Sequence, residues 1–503
     1  MSILRVPYGK KTIDGTKKGY EKANEIEIAK FVKAFEAFGN TAKASLMWDE
    51  EGLYIFAECE KENVSVDGAQ PWDNDSFEIF INEDNSKSAQ TKDGDGQYRV
   101  GADGEISLGL KAKEENITAI AKMTEDGYTV DAYIKFETKK EIGHVMGFDI
   151  LVNDRRDGAR RSVAAWVDNS VNGWLTTENY GTIMLSGDMS LMQEKLRVFS
   201  NQEIIDLATG YVKAYEKNGF PVFERVTPRQ VEVLNGYNGL WQRTSGVSLN
   251  FHTNSKFVAM ELFNDYESGD TSFDFYVDGV MAKSINAVTL DEVTFFKLNL
   301  DGEMHNVQIY YSNQSRGFLR NLAIEKDAVF EKHQYKKKIL FLGDSITEGA
   351  GATTSSMCYA NIVAREMDYE VLNQAISGYG HDANYIEMPE VAPDVILLAM
   401  GINDQGRENF EEKVREYHEK LDKLFGDKEI YIITPRWTSV HTDEQVLTAK
   451  AKIIKSASRF DYMQIIEGDK TLPHDVKYFA DGVHPNNFGY HIEAVRVIST
   501  MKK

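Results

Sequence analysis

The hydrophobic periodicity of this chain changes at the basic patch Lys336-Lys337-Lys338, and that change restricts the architectures open to it. Before the patch, apolar and polar residues alternate in short runs. Leu53, Ile55 and Ala57 stand against Tyr54, Phe56 and Glu58, and Phe77, Ile79, Ile81 and then Val130, Ala132, Ile134 repeat the pattern. A period of two sends successive side chains to opposite faces, so these runs read as half-buried strands. Turn clusters such as Lys92-Asp93-Gly94-Asp95-Gly96 and Glu125-Asp126-Gly127 separate them. Residues 1–186 are therefore predicted to form a β-sandwich, and residues 231–334 a second, jelly-roll-like one carried by Phe257 to Leu262, Phe273 to Val277 and Val307 to Tyr311. Between them, Ile204, Ile205, Leu207, Tyr211 and Tyr215 recur at three- and four-residue steps, which predicts a helical connector over 187–230.

After the patch, apolar strands at Ile339–Leu342, Val371–Gln374, Val395–Met400 and Ile430–Thr434 alternate with amphipathic helices. That rhythm predicts parallel βαβ units, so residues 335–503 read as an α/β/α domain of flavodoxin-like type. Phe410, Val414, Tyr417, Leu421 and Leu424 share one helix face, and Gly426 is placed to end that helix in a left-handed cap. A multidomain chain is also what 503 residues demand, because a single core stops growing near ~250 to 300.

Charge excludes some partners. With 57 basic against 79 acidic residues the net charge is -22, which repels nucleic acid and anionic lipid. No apolar run reaches the ~20 residues that span a bilayer, so no membrane partner is expected. The opening residues lack a secretory signal, which makes the cytoplasm the expected location. Cys59 and Cys358 are too few for a disulfide framework.

In an open α/β sheet, ligands bind beyond the carboxyl ends of the strands. Three unusual clusters fall there: Gly343-Asp344-Ser345-Ile346-Thr347-Glu348-Gly349, Ser377-Gly378-Tyr379-Gly380 and Gly401-Ile402-Asn403-Asp404. A fourth, Asp481-Gly482-Val483-His484-Pro485, precedes the last helix. A serine hydroxyl needs a base within hydrogen-bond reach, and His484 is the candidate base for Ser345. Asp481 is placed to orient the imidazole. The backbone N–H groups of Ser345 and Gly378 and the amide of Asn403 are candidate oxyanion donors. The rival bases His381, His474 and His491 lack an acid placed like Asp481, and Asp404 reads as a cap for the next helix. Trp437 serves equally as a substrate platform or as packing. This chemistry calls for no metal and no organic cofactor.

Those four blocks, in order over about 170 residues, resemble the signature of the SGNH (GDSL-type) hydrolases, with Ala375 where many members have glycine. The resemblance implies catalysis by Ser345, Gly378, Asn403 and His484. A β-sandwich directly before such a domain resembles the family 2 carbohydrate esterases, which deacetylate plant polysaccharides. Some of those enzymes are thought to use a Ser-His dyad, whereas Asp481 points to a triad. The first segment is similar to family 9 carbohydrate-binding modules through Thr12-Ile13-Asp14-Gly15, Leu46-Met47-Trp48-Asp49, Trp72 to Phe80, Gln97-Tyr98-Arg99 and Gly173-Trp174. That likeness implies a sugar clamped between Trp72 and Trp174 and hydrogen-bonded by Glu78, Arg99 and Asn172, with structural calcium a further implication. Both tryptophans also suit a sandwich core. The implied function is removal of acetyl groups from an acetylated oligosaccharide or polysaccharide, such as hemicellulose-derived xylan fragments. The same scaffold also accommodates a lysophospholipase, a thioesterase or a sugar-binding protein whose last domain is idle.

Overall fold

The computed structural model describes residues 4–21, 23–170, 172–187, 196–264, 272–285 and 294–502. The chain divides into two compact units, Met1–Glu194 and Lys195–Lys503.

The first unit is a β-sandwich. One sheet has eight strands, in which Gly181–Leu185, Val145–Arg156, Ser76–Asn82 and Asp95–Gly101 are successive antiparallel neighbours. The other has five, ordered Asn24–Ile28, Ala42–Trp48, Gly52–Glu60, Gly127–Lys135 and Ile117–Met123. Leu53, Ile55, Ala57, Phe77, Ile79, Val130 and Ala132 are buried as the period-two pattern predicts. The opposite face of the five-stranded sheet is covered as well, contrary to a half-buried reading: Tyr54 and Phe56 cluster with Tyr20 and Met47. The cover is pinned by Asp131, which accepts from the Lys11 ammonium at 2.9 Å, the Tyr20 hydroxyl at 3.0 Å and the Gly15 amide at 3.0 Å. A buried carboxylate with that many donors needs no further partner.

The second unit holds the other sandwich and the α/β domain. Its sandwich pairs a four-stranded sheet, containing Leu196–Val198, Gly317–Glu325, Phe257–Asn264 and Thr294–Asn299, with a six-stranded sheet around Ser248–Thr253 and His305–Tyr310. The helical connector expected over 187–230 is not what forms. Among the described residues, helix there is limited to Asn201–Leu207, opened by a Ser200/Glu203 capping box, and to Pro228–Val233, whose last residues lie beyond 230. Lys213–Lys217 and Phe220–Glu224 make a hairpin through Asn218-Gly219, both at positive φ. The three- and four-residue spacing of Ile204, Leu207 and Tyr211 arises from one short helix running into a strand. Ile204, Leu207 and Phe223 are part of the sandwich core, while Val226 and Leu234 pack into the core of the α/β domain. This stretch is thus built into both layers of the unit rather than joining them.

The α/β domain has five parallel strands, β1 (Lys337–Gly343), β2 (Tyr369–Asn373), β3 (Val395–Ala399), β4 (Glu429–Ile433) and β5 (Met463–Ile466), in the order 2-1-3-4-5. Burial on both faces explains the unbroken apolar runs. Leu340, Leu342, Ile396, Leu398, Ile430 and Ile432 face one core with helix α3 (Phe410–Phe425) and α4 (Asp443–Ala457). Ile339, Phe341, Val395, Leu397, Tyr431 and Ile433 face the other with α2 (Tyr359–Met367) and α5 (Asn487–Met501). Gly426, expected in a left-handed cap, is right-handed at φ -63°. Its reason for being glycine is space, since a Cβ would lie 2.7 Å from the Asp422 carbonyl oxygen.

Candidate active site

β1 ends in Gly343, where a Cβ would sit 2.2 Å from Thr347 Oγ1, so only glycine lets the chain turn this tightly into the next helix. That helix, α1 (Ser345–Glu348), is one turn long, and the Asp344 carboxylate caps it by accepting from the Ile346 amide at 3.0 Å. From α5, the Tyr490 hydroxyl lies within hydrogen-bond distance of the Ile346 and Ala350 carbonyls, at 3.0 and 2.6 Å, which fixes the turn from below. Burial pushes the Asp344 carboxyl above its ordinary range, against the pull of the nearby Arg436 guanidinium, itself paired with Glu493. Ser345 is left half-buried at the carboxyl end of the sheet.

His484 reaches it from the loop before α5. Ser345 Oγ and His484 Nε2 are 2.8 Å apart, and His484 Nδ1 lies 2.7 Å from Asp481 Oδ2. The other Asp481 oxygen accepts the backbone N–H groups of Val483 and His484 at 3.0 and 2.9 Å, so the carboxylate both closes its turn and orients the ring. Gly482 adopts φ +84° in that turn, and its carbonyl accepts from the Ser439 amide at 2.9 Å. Partial burial raises the Asp481 pKa, but the hydrogen bonds from His484 outweigh it and hold the group below the ordinary carboxylate value. With Asp481 ionised, the Nδ1–H tautomer is selected and Nε2 is free to take the serine proton.

The oxyanion candidates lie on the two neighbouring loops. Gly378 follows β2 at φ +77°, exposed, and the nearest atom to its would-be Cβ is Tyr237 Cε1 at 3.9 Å. Asn403 follows β3 and donates one amide proton to the Tyr379 carbonyl at 2.9 Å. The same nitrogen carries a second proton, and it is this one that can serve an oxyanion. Asn403→Ala should lower turnover of an aryl acetate by about 10², with little change in KM, as for loss of a single oxyanion donor. A loss under twofold would remove Asn403 from the reaction.

Several sequence readings change here. Asp404 does not cap α3, whose N-cap is Asn409. It accepts the His381 amide at 2.6 Å and its ring Nδ1 at 3.1 Å, so His381 does have an acid partner. That pair is buried beside Phe410 and Tyr417 and ties the β2 loop to the β3 loop. Trp437 is half-buried with one face stacked on His474 at 5.2 Å between ring centroids. Sequence reasoning missed Arg225 and Arg243, which bind the buried Glu348 carboxylate at 3.1 and 2.7 Å. No periodicity announces an arginine whose partner lies more than a hundred residues away.

In the first unit, a polar cluster forms on the eight-stranded sheet. Glu78 accepts from Arg99 Nε at 3.0 Å, Gln97 Nε2 at 2.7 Å and Asn153 Nδ2 at 2.8 Å. The Arg99 guanidinium lies 5.7 Å from the Trp72 ring, and that of Arg160 lies 5.8 Å from Trp174 and 3.8 Å from Glu78. The structure therefore brings Trp72, Trp174, Glu78 and Arg99 together. At 43% exposure Trp72 is no core residue, while Trp174 is packed against a small core. Asn172 is exposed in the turn that carries Trp174. Asn153 and Arg160 stand outside every sequence motif, although Glu78 between buried Phe77 and Ile79 signals a polar second face. Among the described residues no three His, Cys, Asp or Glu side chains converge on one point. The buried acids Asp75 and Asp154 are taken by Lys61 at 2.7 and 2.9 Å.

Comparison with known proteins separates the same two regions. The model of the "Carbohydrate family 9 binding domain-like" family matches residues 13–188, and that of the "GDSL-like Lipase/Acylhydrolase family" matches residues 341–492. Exoglucanase XynX of Acetivibrio thermocellus is 32% identical over 197 residues, 39% of this chain and 18% of that protein. The chain thus spans under a fifth of the length of the curated relatives it matches. A protein of Bacteroides ovatus ATCC 8483 described as a GDSL-like lipase is 19% identical, covers 61% of this chain and 97% of its own, and has a TM-score of 0.51, a likeness of fold. A family two carbohydrate esterase from Cellvibrio japonicus is 14% identical over 61% of this chain and 96% of its own, with a TM-score of 0.45.

Proposed function

Because this chain joins a family 9 carbohydrate-binding-like domain to a GDSL-like acylhydrolase domain, we propose that it is a serine esterase that removes acetyl groups from carbohydrate. The observation that carries this reading is the hydrogen-bonded series Ser345 Oγ, His484 Nε2, His484 Nδ1, Asp481 Oδ2, with spacings of 2.8 and 2.7 Å. Ser345 attacks the ester carbonyl while its proton passes to His484 Nε2. The carbonyl oxygen gains charge, and the donors on the Ser345, Gly378 and Asn403 loops meet it. The imidazolium then protonates the departing sugar oxygen as its bond to the acyl carbon breaks, leaving the free sugar hydroxyl and an acyl-Ser345. Water, deprotonated by the same nitrogen, releases the acid.

The carbohydrate half of the proposal is supported by the first unit. Trp72 and Trp174 flank a polar floor of Glu78, Arg99 and Arg160, which matches the apolar faces and hydroxyl rim of a pyranose. Several curated relatives are named as xylanases, which favours acetylated xylan among the candidate substrates. The test is acetate release from acetylated xylan, mannan and pectin oligosaccharides, with a Ser345→Ala protein as blank. Preference for long-chain acyl esters over acetyl would replace this reading with a lipase-type one.

Sugar capture and hydrolysis should separate by mutation. Trp72→Ala is expected to weaken xylo-oligosaccharide binding in calorimetry by about 5- to 30-fold, the loss of one aromatic face being worth roughly 1 to 2 kcal/mol. Aryl acetate turnover should be unchanged. Undiminished binding would mean that Trp72 does not contact sugar.

A further inference from the structure

Glu348 closes the single turn of α1, three residues after the nucleophile, and is completely buried. Its Oε1 takes the Arg225 Nη2 donor at 3.1 Å and its Oε2 takes Arg243 Nη1 at 2.7 Å. Both arginines come from the stretch between the hairpin strand Phe220–Glu224 and the sandwich strand Ser248–Thr253. Further bonds of this group run to the loop that carries an oxyanion donor. Arg225 Nη1 donates to the carbonyls of Asn373 and Ala375 at 2.5 and 3.0 Å. Glu348 Oε2 accepts the backbone N–H of Ser377 at 3.1 Å and also its hydroxyl, and Arg243 Nη1 donates to that hydroxyl at 3.0 Å. Ser377 is the residue before Gly378.

We propose that Glu348, gripped by Arg225 and Arg243, is a positioning residue that sets the Ser377–Gly378 peptide so that the Gly378 N–H faces the developing oxyanion. The inference rests on the ester-hydrolase reading above and names a part of its machinery outside the four signature positions. Gly378 is exposed and left-handed, so its own contacts do little to hold it. Elsewhere the loop is tied at Ile376, whose amide donates to the Gly343 carbonyl at 3.1 Å, and at Tyr379, which donates to Ile376 at 3.1 Å. The peptide between those ties is held by Glu348. A charged acceptor binds an amide about twice as strongly as a neutral one, and preorganised donors count only when aimed before the charge develops. A carboxylate shared by two buried arginines cannot swing away, which makes it a fixed point for that amide. The stretch between the hairpin and the sandwich thereby supplies part of the active-site frame.

The test compares wild type, Glu348→Gln, Ser377→Ala and Ser377→Thr in aryl acetate hydrolysis and in affinity for an arylboronic acid, which forms a tetrahedral adduct on the serine with one oxygen in the oxyanion site. Glu348→Gln should lower kcat about 10- to 100-fold with KM within about threefold, and boronate affinity should fall in parallel, the signature of an interaction made only in the transition state. The pH midpoint of kcat/KM should not move, because the Ser-His-Asp series is untouched. Should Glu348→Gln fail to fold, Ser377→Ala decides, since it keeps the arginine–carboxylate cluster and removes only the serine hydroxyl. It should lose kcat and boronate affinity together by about threefold or more, with Ser377→Thr restoring both. Unchanged kcat in the variants, or a kcat loss with boronate affinity intact, overturns the proposal. Wild-type protein that binds boronate without hydrolysing acetate esters would sink the hydrolase reading instead, and the variants' boronate affinities would still decide this one.

Discussion

Ser345→Ala should bring aryl acetate hydrolysis down by about 10⁶, to the level that bound donors sustain without a nucleophile. The size of the effect follows from the geometry. Ser345 Oγ is the one hydroxyl within hydrogen-bond distance of His484 Nε2 among the described residues, at 2.8 Å. The fold should be indifferent to the change, because Ser345 is half-buried and α1 is held by the Asp344 cap and by Tyr490 rather than by the serine side chain. Thermal unfolding of the variant is therefore the control, and it should superimpose on wild type. A Ser345→Ala, His484→Ala double variant should be no slower than either single one, since residues that act as a unit lose their contribution at the first removal. Turnover within tenfold of wild type in the serine variant would exclude Ser345 as nucleophile.

The cluster around Ser345 is legible in the sequence for a physical reason: it sits at strand ends. The parallel strands announce themselves as unbroken apolar runs, Ile339 to Leu342 and Val395 to Ala399, because both faces are buried. Glycines and polar residues directly after such runs stand out, and Ser345, Gly378 and Asn403 all follow one. His484 and Asp481 are three apart in one turn, so their pairing is a local property. Glu348 was in view within the same block, yet its role depends on Arg225 and Arg243, which reach it across the packed face of two layers. Arg225 lies in a stretch whose sequence reads as a helical connector because a short helix and a hairpin strand together mimic a helical period. Asp404 was misassigned for a related reason. An acid shortly before a helix has the pattern of an N-cap, but it turns inward to His381, and only the packing of the β2 loop against the β3 loop shows it. The outer cover of the five-stranded sheet escaped notice because Tyr20 and Lys11 belong to irregular chain without a period to read.

Asp481→Asn should cost about 10³ in kcat, less than the ~10⁴ associated with a fully buried orienting aspartate, because the Asp481 side chain is 56% exposed and water competes for the ring. The amide can accept the backbone N–H groups of Val483 and His484 as the carboxylate does, so the turn should persist. What it loses is the charge facing Nδ1. An amide nitrogen presented to Nδ1 favours the tautomer with the proton on Nε2, and that nitrogen then cannot take the Ser345 proton. Asp481→Ala tests this cause directly. With no donor to impose the wrong tautomer and with water able to occupy the site, the alanine variant should be the faster of the two, down by about 10². Equal losses in the two variants would mean that tautomer selection is not what Asp481 provides. The acid side of the wild-type profile gives a second check. The Asp481 carboxyl is held below its ordinary value, so its ionised form persists as pH falls and is lost only below the usual carboxylate range. The acid limb of kcat/KM should therefore show no step in the ordinary carboxylate range, whereas a proton entering there would place Asp481 outside the hydrogen-bonded series.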